Sequence, residues 1–194
     1  MSELLRERLK LMLLERAVSF REVVLSSGRK SHYYIDARMV SLSGDGLALT
    51  AELLWDKVRD LEFEAVGGPT IGADPLVAGL CLLAYQRGRN LAGFLVRREP
   101  KAHGTGRQVE GPLTPGMRAV IVEDTVTTGE TLLSAIAAAE AAGAKVIKVL
   151  AVVDRQEGGG GRLRQAGYDF EPLFTAEELG LITPTGGTNG GDQP

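Results

Sequence analysis

Two adjacent carboxylates, Glu123 and Asp124, end an apolar run, Val120-Ile121-Val122. They are followed by Thr125-Val126-Thr127-Thr128-Gly129-Glu130-Thr131. An ionised carboxylate only accepts hydrogen bonds, so the pair suits neutral sugar hydroxyls and would repel a phosphate placed against it. Three threonine hydroxyls follow as donors. Unpaired N–H groups at a helix start favour anions, and Gly129 lets the backbone approach closely. One end of the stretch therefore suits the hydroxyls of a ribose and the other suits a monophosphate. An ordinary strand-to-helix turn, with threonines as helix caps, would leave the paired acids unexplained.

The neighbouring elements must place this corner. Val120 to Val122 read as a buried strand of a parallel sheet. The segment after Gly129, rich in Ala and Leu, predicts a helix to Ala142. Thr125 to Gly129 then lie beyond the carboxyl end of a strand, where open α/β sheets bind ligands. Around this unit the pattern predicts a first helix through Leu4 to Leu13, and strands Val23–Leu25 and Tyr33–Asp36 about a turn. It further predicts helices Gly46–Arg59 and Pro75–Gln86, strands Ala65–Gly68 and Ala92–Val96, and a loop over 99–112. Strand Lys145–Asp154, a short helix Arg162–Ala166, a strand Phe170–Phe174 and a final helical turn complete the chain. Alternating strands and helices predict an α/β fold, a mostly parallel central sheet flanked by helices. The first 40 residues break the alternation and are expected to form a small cap, or hood. Trp55 is expected in the core. Gly158 to Gly161 read as a flexible turn. Residues 185–194 read as a disordered tail, leaving 1–184 as a single domain.

A second chemical feature is a basic stretch, Phe94-Leu95-Val96-Arg97-Arg98-Glu99-Pro100-Lys101-Ala102-His103-Gly104-Thr105-Gly106-Arg107. Its Pro and Gly residues argue against regular structure. Beside an anion pocket it can close as a lid over a polyphosphate; alone it would read as a solvated surface loop. The remaining composition excludes several classes. Hydrophobic residues at 44% and charged residues at 24% are ordinary for a soluble globular protein. A net charge of −3 disfavours nonspecific nucleic-acid binding. Cys81 is the one cysteine, expected as a buried structural thiol, so an intrachain disulfide is excluded. Two histidines, His32 and His103, argue against a multi-histidine metal centre. No Gly-Lys-Ser/Thr follows a strand, which excludes a P-loop. No apolar run approaches the ~20 residues of a membrane span, and the opening residues do not read as a signal peptide. A cytoplasmic protein is expected.

The stretch Val120–Thr131 resembles the phosphoribosyl diphosphate motif of type I phosphoribosyltransferases. The basic stretch resembles the flexible loop of the orotate-using branch of that family, matching at Arg97, Arg98, Glu99, Lys101, His103 and Gly104. Residues 27–34 resemble the turn beside the base pocket, 67–75 the diphosphate loop, and 152–159 the segment whose arginine holds the orotate carboxylate. The resemblance implies transfer of a phosphoribosyl group from phosphoribosyl diphosphate to orotate, giving orotidine 5′-phosphate and diphosphate. It implies that Glu123, Asp124, Thr125, Val126, Thr127, Thr128, Gly129, Glu130 and Thr131 bind phosphoribosyl diphosphate, and that Arg97, Arg98, Lys101 and His103 contact its diphosphate. Lys101 and His103 are then catalytic. Thr127 and Arg155 would bind orotate; a guanidinium can hold a carboxylate through two parallel hydrogen bonds. A surface salt bridge is the other reading of Arg155. Family members are homodimers in which the residues matching Arg97, Lys101 and His103 serve the neighbouring subunit's site. Mg²⁺ is expected as cofactor, carried by the diphosphate and not by a dedicated protein site. This chain departs from many relatives at Ser26 and Gly72, where they carry lysine, and no site is assigned there. A purine phosphoribosyltransferase and a non-catalytic sensor of phosphoribosyl diphosphate are the rival readings.

Overall fold

The computed structural model describes residues 2–24, 30–99 and 108–183. Lys101, His103, Arg107, the turn at Ser26–Arg29 and the tail 185–194 lie outside the described residues. In chain order the elements are α1 (Ser2–Arg16), β1 (Val18–Val24), β2 (Lys30–Ile35), α2 (Arg38–Ser41) and α3 (Gly44–Val58). There follow β3 (Ala65–Pro69), α4 (Asp74–Gln86), β4 (Ala92–Val96) and β5 (Val109–Glu110). Then come β6 (Arg118–Val126), α5 (Glu130–Ala141), β7 (Lys145–Asp154), α6 (Gly159–Gln165) and β8 (Phe170–Thr175).

Six strands form the central sheet in the order β5-β4-β3-β6-β7-β8, parallel except for β5 at the edge. Side chains of a strand alternate between faces, and β6 shows how this sorts the core. Val120 and Val122 pack with Leu54, Leu76, Leu80 and Leu150, on the face covered by α1, α3 and α4. Ala119 and Ile121 pack with Leu132, Ile136, Val149 and Leu163, on the face covered by α5 and α6. Burial on both faces explains the unbroken apolar runs of β3 and β6. Trp55 is in the core, as expected, and Cys81 is half-buried, not fully buried. Among the described residues no helix is long and apolar enough to cross a membrane.

Several boundaries differ from expectation. The cap proper is the antiparallel β1–β2 hairpin, a sheet of its own. Helix α1 belongs to the helical layer instead, because Leu9 and Leu13 are fully buried there. Strand β1 begins at Val18, with a register shift between Phe20 and Val23 that obscures its alternation. The stretch 99–112 is not all loop, since β5 pairs with Leu95 and Val96 of β4. The glycine run at 158–161 is not a flexible turn: α6 starts inside it, at Gly159.

The sheet order sets the location of the site. From β3 the chain runs outward through β4 to β5, then returns to the other side of β3 as β6. Loops leaving the carboxyl ends of β3 and β6 therefore diverge and open a crevice at this switch point. Pairing of β3 with β6 stops at Gly67–Ile121, whereas β6 stays paired with β7 as far as Val126–Asp154. The end of β6, with Glu123 and Asp124, thus borders the crevice on its β3 side.

Candidate functional site

Glu123 is only 7% exposed. The Asp124 N–H donates to Glu123 Oε1 at 3.1 Å, and the Thr125 N–H donates to Asp124 Oδ1 at 2.6 Å. Beyond Val126 the chain turns through Gly129, whose φ of 79° is the left-handed region that glycine adopts without strain, and enters α5. The turn and the first turn of α5 enclose a polar cavity of about 140 Å³, lined by Glu123, Thr125 and residues 126–132. The Thr125 hydroxyl oxygen is buried with no hydrogen-bond partner among the described residues. This is the arrangement expected from the sequence: acids first, then a hydroxyl-lined turn at a helix start.

The glycine run completes this turn. The Gly159 N–H donates to Thr127 O at 3.0 Å. A Cβ on Gly159 would lie 2.5 Å from Val126 Cγ1 and 2.7 Å from Thr127 O. One on Gly161 would meet nothing within 4 Å. Gly159→Ala is therefore expected to lower stability by about 1–3 kcal/mol through overpacking and to raise the KM for phosphoribosyl diphosphate. Gly161→Ala should leave both unchanged. Thermal unfolding and initial rates check this pair, and equal behaviour of the two variants would contradict the tight seat.

Burial pushes the Glu123 carboxyl well above the usual carboxylate range, and the neighbouring Asp124 charge adds to the effect. Burial also raises Asp124, against the opposing Thr125 N–H and the positive charge of Arg38. The pair holds a proton more readily than exposed acids do. Hydroxyl donors or a cation favour the ionised form, so binding of a sugar diphosphate should release a proton. Calorimetric titration in two buffers of different ionisation enthalpy measures that release. Glu123→Gln should abolish it; an unchanged release in that variant would contradict the assignment. The sign for stability is opposite. A carboxyl raised in the folded state stabilises the fold fully below its unfolded pKa, near 4.3, and that contribution is lost as pH rises through the folded value. Glu123→Gln should therefore unfold at a higher temperature than the parent at pH 8, with the difference shrinking toward pH 5.

Across the crevice, the segment after β3 faces Asp124. A Cβ on Gly72 would sit 2.5 Å from Asp124 Oδ1, so a side chain at 72 would require Asp124 to move. Thr70 Oγ1 donates to Asp74 Oδ2 at 3.0 Å, and Asp74 Oδ1 is buried without a partner among the described residues. Arg97 and Arg98 leave the end of β4 and line a cavity of about 560 Å³ with Pro69, Thr70, Glu130 and Thr131. The neck of the basic loop is closed by Arg97 N–H to Gln108 O at 2.9 Å and Gln108 Nε2 to Arg97 O at 3.0 Å. The loop thus departs from the mouth of the crevice.

Arg155 follows β7 directly. Its N–H donates to Val126 O at 2.9 Å, which fixes it beside the end of β6. The residue is 3% exposed. Its Nε donates to Glu157 Oε1 at 2.8 Å and its guanidinium lies 4.5 Å from the centre of the Tyr33 ring. The surface salt-bridge reading is thereby corrected, because Arg155 is buried and its partner Glu157 is only 16% exposed. Thr127 is on the same strand end. Tyr33, Glu157 and Arg38 were missed by sequence reasoning. Tyr33 lies in the hairpin segment already matched to the base pocket, and Glu157 is two residues from Arg155, so spacing offered a weak signal for both. Arg38 forms a two-pronged pair with Asp36, Nε–Oδ1 2.7 Å and Nη2–Oδ2 3.0 Å. That pair stands near enough to Asp124 to act on its charge; nothing in the sequence marked it.

A phosphoribosyl transferase domain matches residues 82–164. The chain is 45% identical over 168 residues to the orotate phosphoribosyltransferase of Streptomyces coelicolor, covering 86% of this chain and 92% of that one. It is 37% identical over 177 residues to that of Aquifex aeolicus, covering 90% and 97%. A crystal structure of Mycobacterium tuberculosis orotate phosphoribosyltransferase in complex with 5-phospho-α-D-ribosyl 1-diphosphate superposes with a TM-score of 0.76 at 32% identity, covering 91% of this chain and 99% of that one. With this identity along nearly the whole length, the chain belongs to the orotate phosphoribosyltransferase family.

Proposed function

We propose that the protein transfers the 5-phosphoribosyl group from phosphoribosyl diphosphate to orotate, giving orotidine 5′-phosphate and diphosphate, a step of pyrimidine biosynthesis. The observation that carries this reading is the placement of Arg155. A buried guanidinium, hydrogen-bonded through its backbone to the strand that bears the acid pair, suits a base with a carboxylate. A purine has none, which disfavours the purine reading. Glu123 and Asp124 accept hydrogen bonds from the ribose hydroxyls. The hydroxyls of Thr125, Thr127 and Thr128 and the amides beyond Val126, with the start of α5 at Glu130 and Thr131, take the 5′-phosphate. Arg97 and Arg98 at the neck, and Lys101 and His103 on the loop, take the diphosphate.

Orotate N1 forms a bond to the anomeric carbon as the bond from that carbon to the diphosphate oxygen breaks. The sugar passes through an oxocarbenium-like state, as in other glycosyl transfers. The electron pair leaves on the diphosphate, where Lys101, His103 and the arginines meet the developing charge. Closure of the basic loop excludes water that would otherwise compete as nucleophile. Mg²⁺ bound with the diphosphate supplies neutralisation of its charge. Among the described residues no cluster of three or more His, Cys, Asp or Glu is placed to hold a metal. Two acids in the crevice fit a hydrated cation whose remaining positions go to substrate oxygens.

The working unit is residues 1–184 as one domain, paired as a cytoplasmic homodimer. An apolar face on α4 supports the pairing: Ala78, Leu82 and Tyr85, at helical spacing, point outward, and Ile71 is exposed just before the helix. Such a face beside the diphosphate loop suits a second copy. In that dimer Arg97, Lys101 and His103 serve the partner's crevice. Mixing inactive Lys101→Ala and Asp124→Ala chains should then recover up to about a quarter of the parental activity, by random pairing into one intact composite site per heterodimer. No recovery on mixing would place the loop in its own subunit's site.

The reaction itself is tested by following orotidine 5′-phosphate with Mg²⁺ present and orotate, adenine or hypoxanthine as acceptor. Product from orotate alone is expected. Turnover confined to purines, or tight binding of phosphoribosyl diphosphate without turnover, would reject the proposal.

A further inference from the structure

The turn that carries Arg155 is held at more points than backbone connection requires. Asp154, itself buried, accepts from the Gln156 N–H at 2.8 Å through Oδ1. Gln156 adopts a φ of 59°, a left-handed conformation uncommon for a residue with a side chain. Its amide is anchored to Glu177, whose N–H donates to Gln156 Oε1 at 2.8 Å. The left-handed step separates Arg155 from Glu157 by one residue while letting Glu157 Oε1 accept from Arg155 Nε at 2.8 Å. The same guanidinium lies over the Tyr33 ring, its Cζ 4.5 Å from the ring centre. Rotation about the bond to Nε is opposed from two directions.

We propose that Glu157 is a positioning residue that sets the edge of the Arg155 guanidinium for the substrate carboxylate. This rests on the reading that Arg155 takes the carboxylate of orotate. Glu157 exerts two opposed effects. Its negative charge disfavours a second carboxylate nearby, while its oxygen fixes the plane in which the Nη groups meet that carboxylate edge-on. Two parallel hydrogen bonds demand alignment of the fork, whereas the repulsion is spread over a guanidinium already present to offset it. Alignment is therefore the larger effect, and the role belongs to the acceptor oxygen more than to the charge. Glutamine keeps that oxygen and alanine removes it.

The test is steady-state kinetics of the full-length enzyme with Mg²⁺, as Glu157→Ala and Glu157→Gln. Glu157→Ala should raise the orotate KM about ten- to 150-fold, the range of one charge-assisted hydrogen bond, with the KM for phosphoribosyl diphosphate unchanged. Glu157→Gln should stay within about threefold of the parent. An unchanged orotate KM in Glu157→Ala, a parallel rise in both KM values, or a glutamine variant as impaired as the alanine variant would each overturn the proposal. If Glu157→Ala does not fold, Glu157→Asp retracts the acceptor while keeping the charge and should show the same selective rise; a parental orotate KM there would overturn the proposal. Arg155→Ala in parallel separates the two layers. A parent inactive toward orotate, or Arg155→Ala with a parental orotate KM, would sink the underlying reading; normal loss there with no effect at 157 would sink only this inference.

Discussion

Replacing Lys101 with alanine should lower kcat by about two to three orders of magnitude, while the KM for orotate should change by less than about threefold. The expectation follows from where charge develops. As the bond to the anomeric carbon breaks, negative charge builds on the departing oxygen, and a donor aimed there acts on the barrier itself. Removing one such donor in a water-excluded site typically lowers turnover by about 10²–10³, equal to roughly 2.7–4 kcal/mol. Orotate, by contrast, is proposed to sit at Arg155 and Thr127, beside the ends of β6 and β7. The basic loop begins instead at β4, on the far side of β3. Initial-rate measurements varying each substrate separate the two parameters. Equal losses in kcat and orotate affinity would contradict a leaving-group role for Lys101.

Arg155→Ala should act in the opposite pattern. Two charge-assisted hydrogen bonds to one carboxylate are lost together, so the orotate KM is expected to rise about 10²-fold or more. The KM for phosphoribosyl diphosphate should hardly move. The substitution has a second consequence. Glu157, 16% exposed, would lose its Nε donor, and loss of this partly buried charge-assisted hydrogen bond is expected to cost about 1.5–3 kcal/mol. For a domain of this size that corresponds to a fall in Tm of several °C. Arg155→Lys, which keeps the charge but not the fork, should recover more stability than orotate affinity. A parental orotate KM in Arg155→Ala would remove this residue from the carboxylate site.

What was legible in the sequence is what lies contiguous along the chain. The acid pair, the threonine turn and the start of α5 are neighbours in sequence, and strand-to-helix geometry places them without reference to anything distant. The parallel sheet followed from the double-sided burial of β3 and β6, which writes unbroken apolar runs into the chain. What was not legible depends on juxtaposition across elements. Gly158 to Gly161 read as a flexible turn because glycine is a poor helix former. In the fold, Gly159 is required by its approach to Thr127, and α6 begins there despite the propensity. Tyr33 reaches Arg155 only once β7 and the hairpin meet, and Glu157 turns back to it only through the left-handed step at Gln156. Strand β5 is two residues long and exists because the neck of the basic loop pairs with the β4 edge. Arg38 and Asp36 sit far from the acid pair in sequence, and their effect on Asp124 arises from folding alone.

The most direct measurement is diffraction from crystals of the protein grown with phosphoribosyl diphosphate and Mg²⁺. The ribose hydroxyls are expected within hydrogen-bonding distance of Glu123 and Asp124, with the 5′-phosphate seated on the amides of Thr127 to Gly129. A sugar bound away from the end of β6, or one reversed so that its 5′-phosphate faces the two acids, would contradict the account.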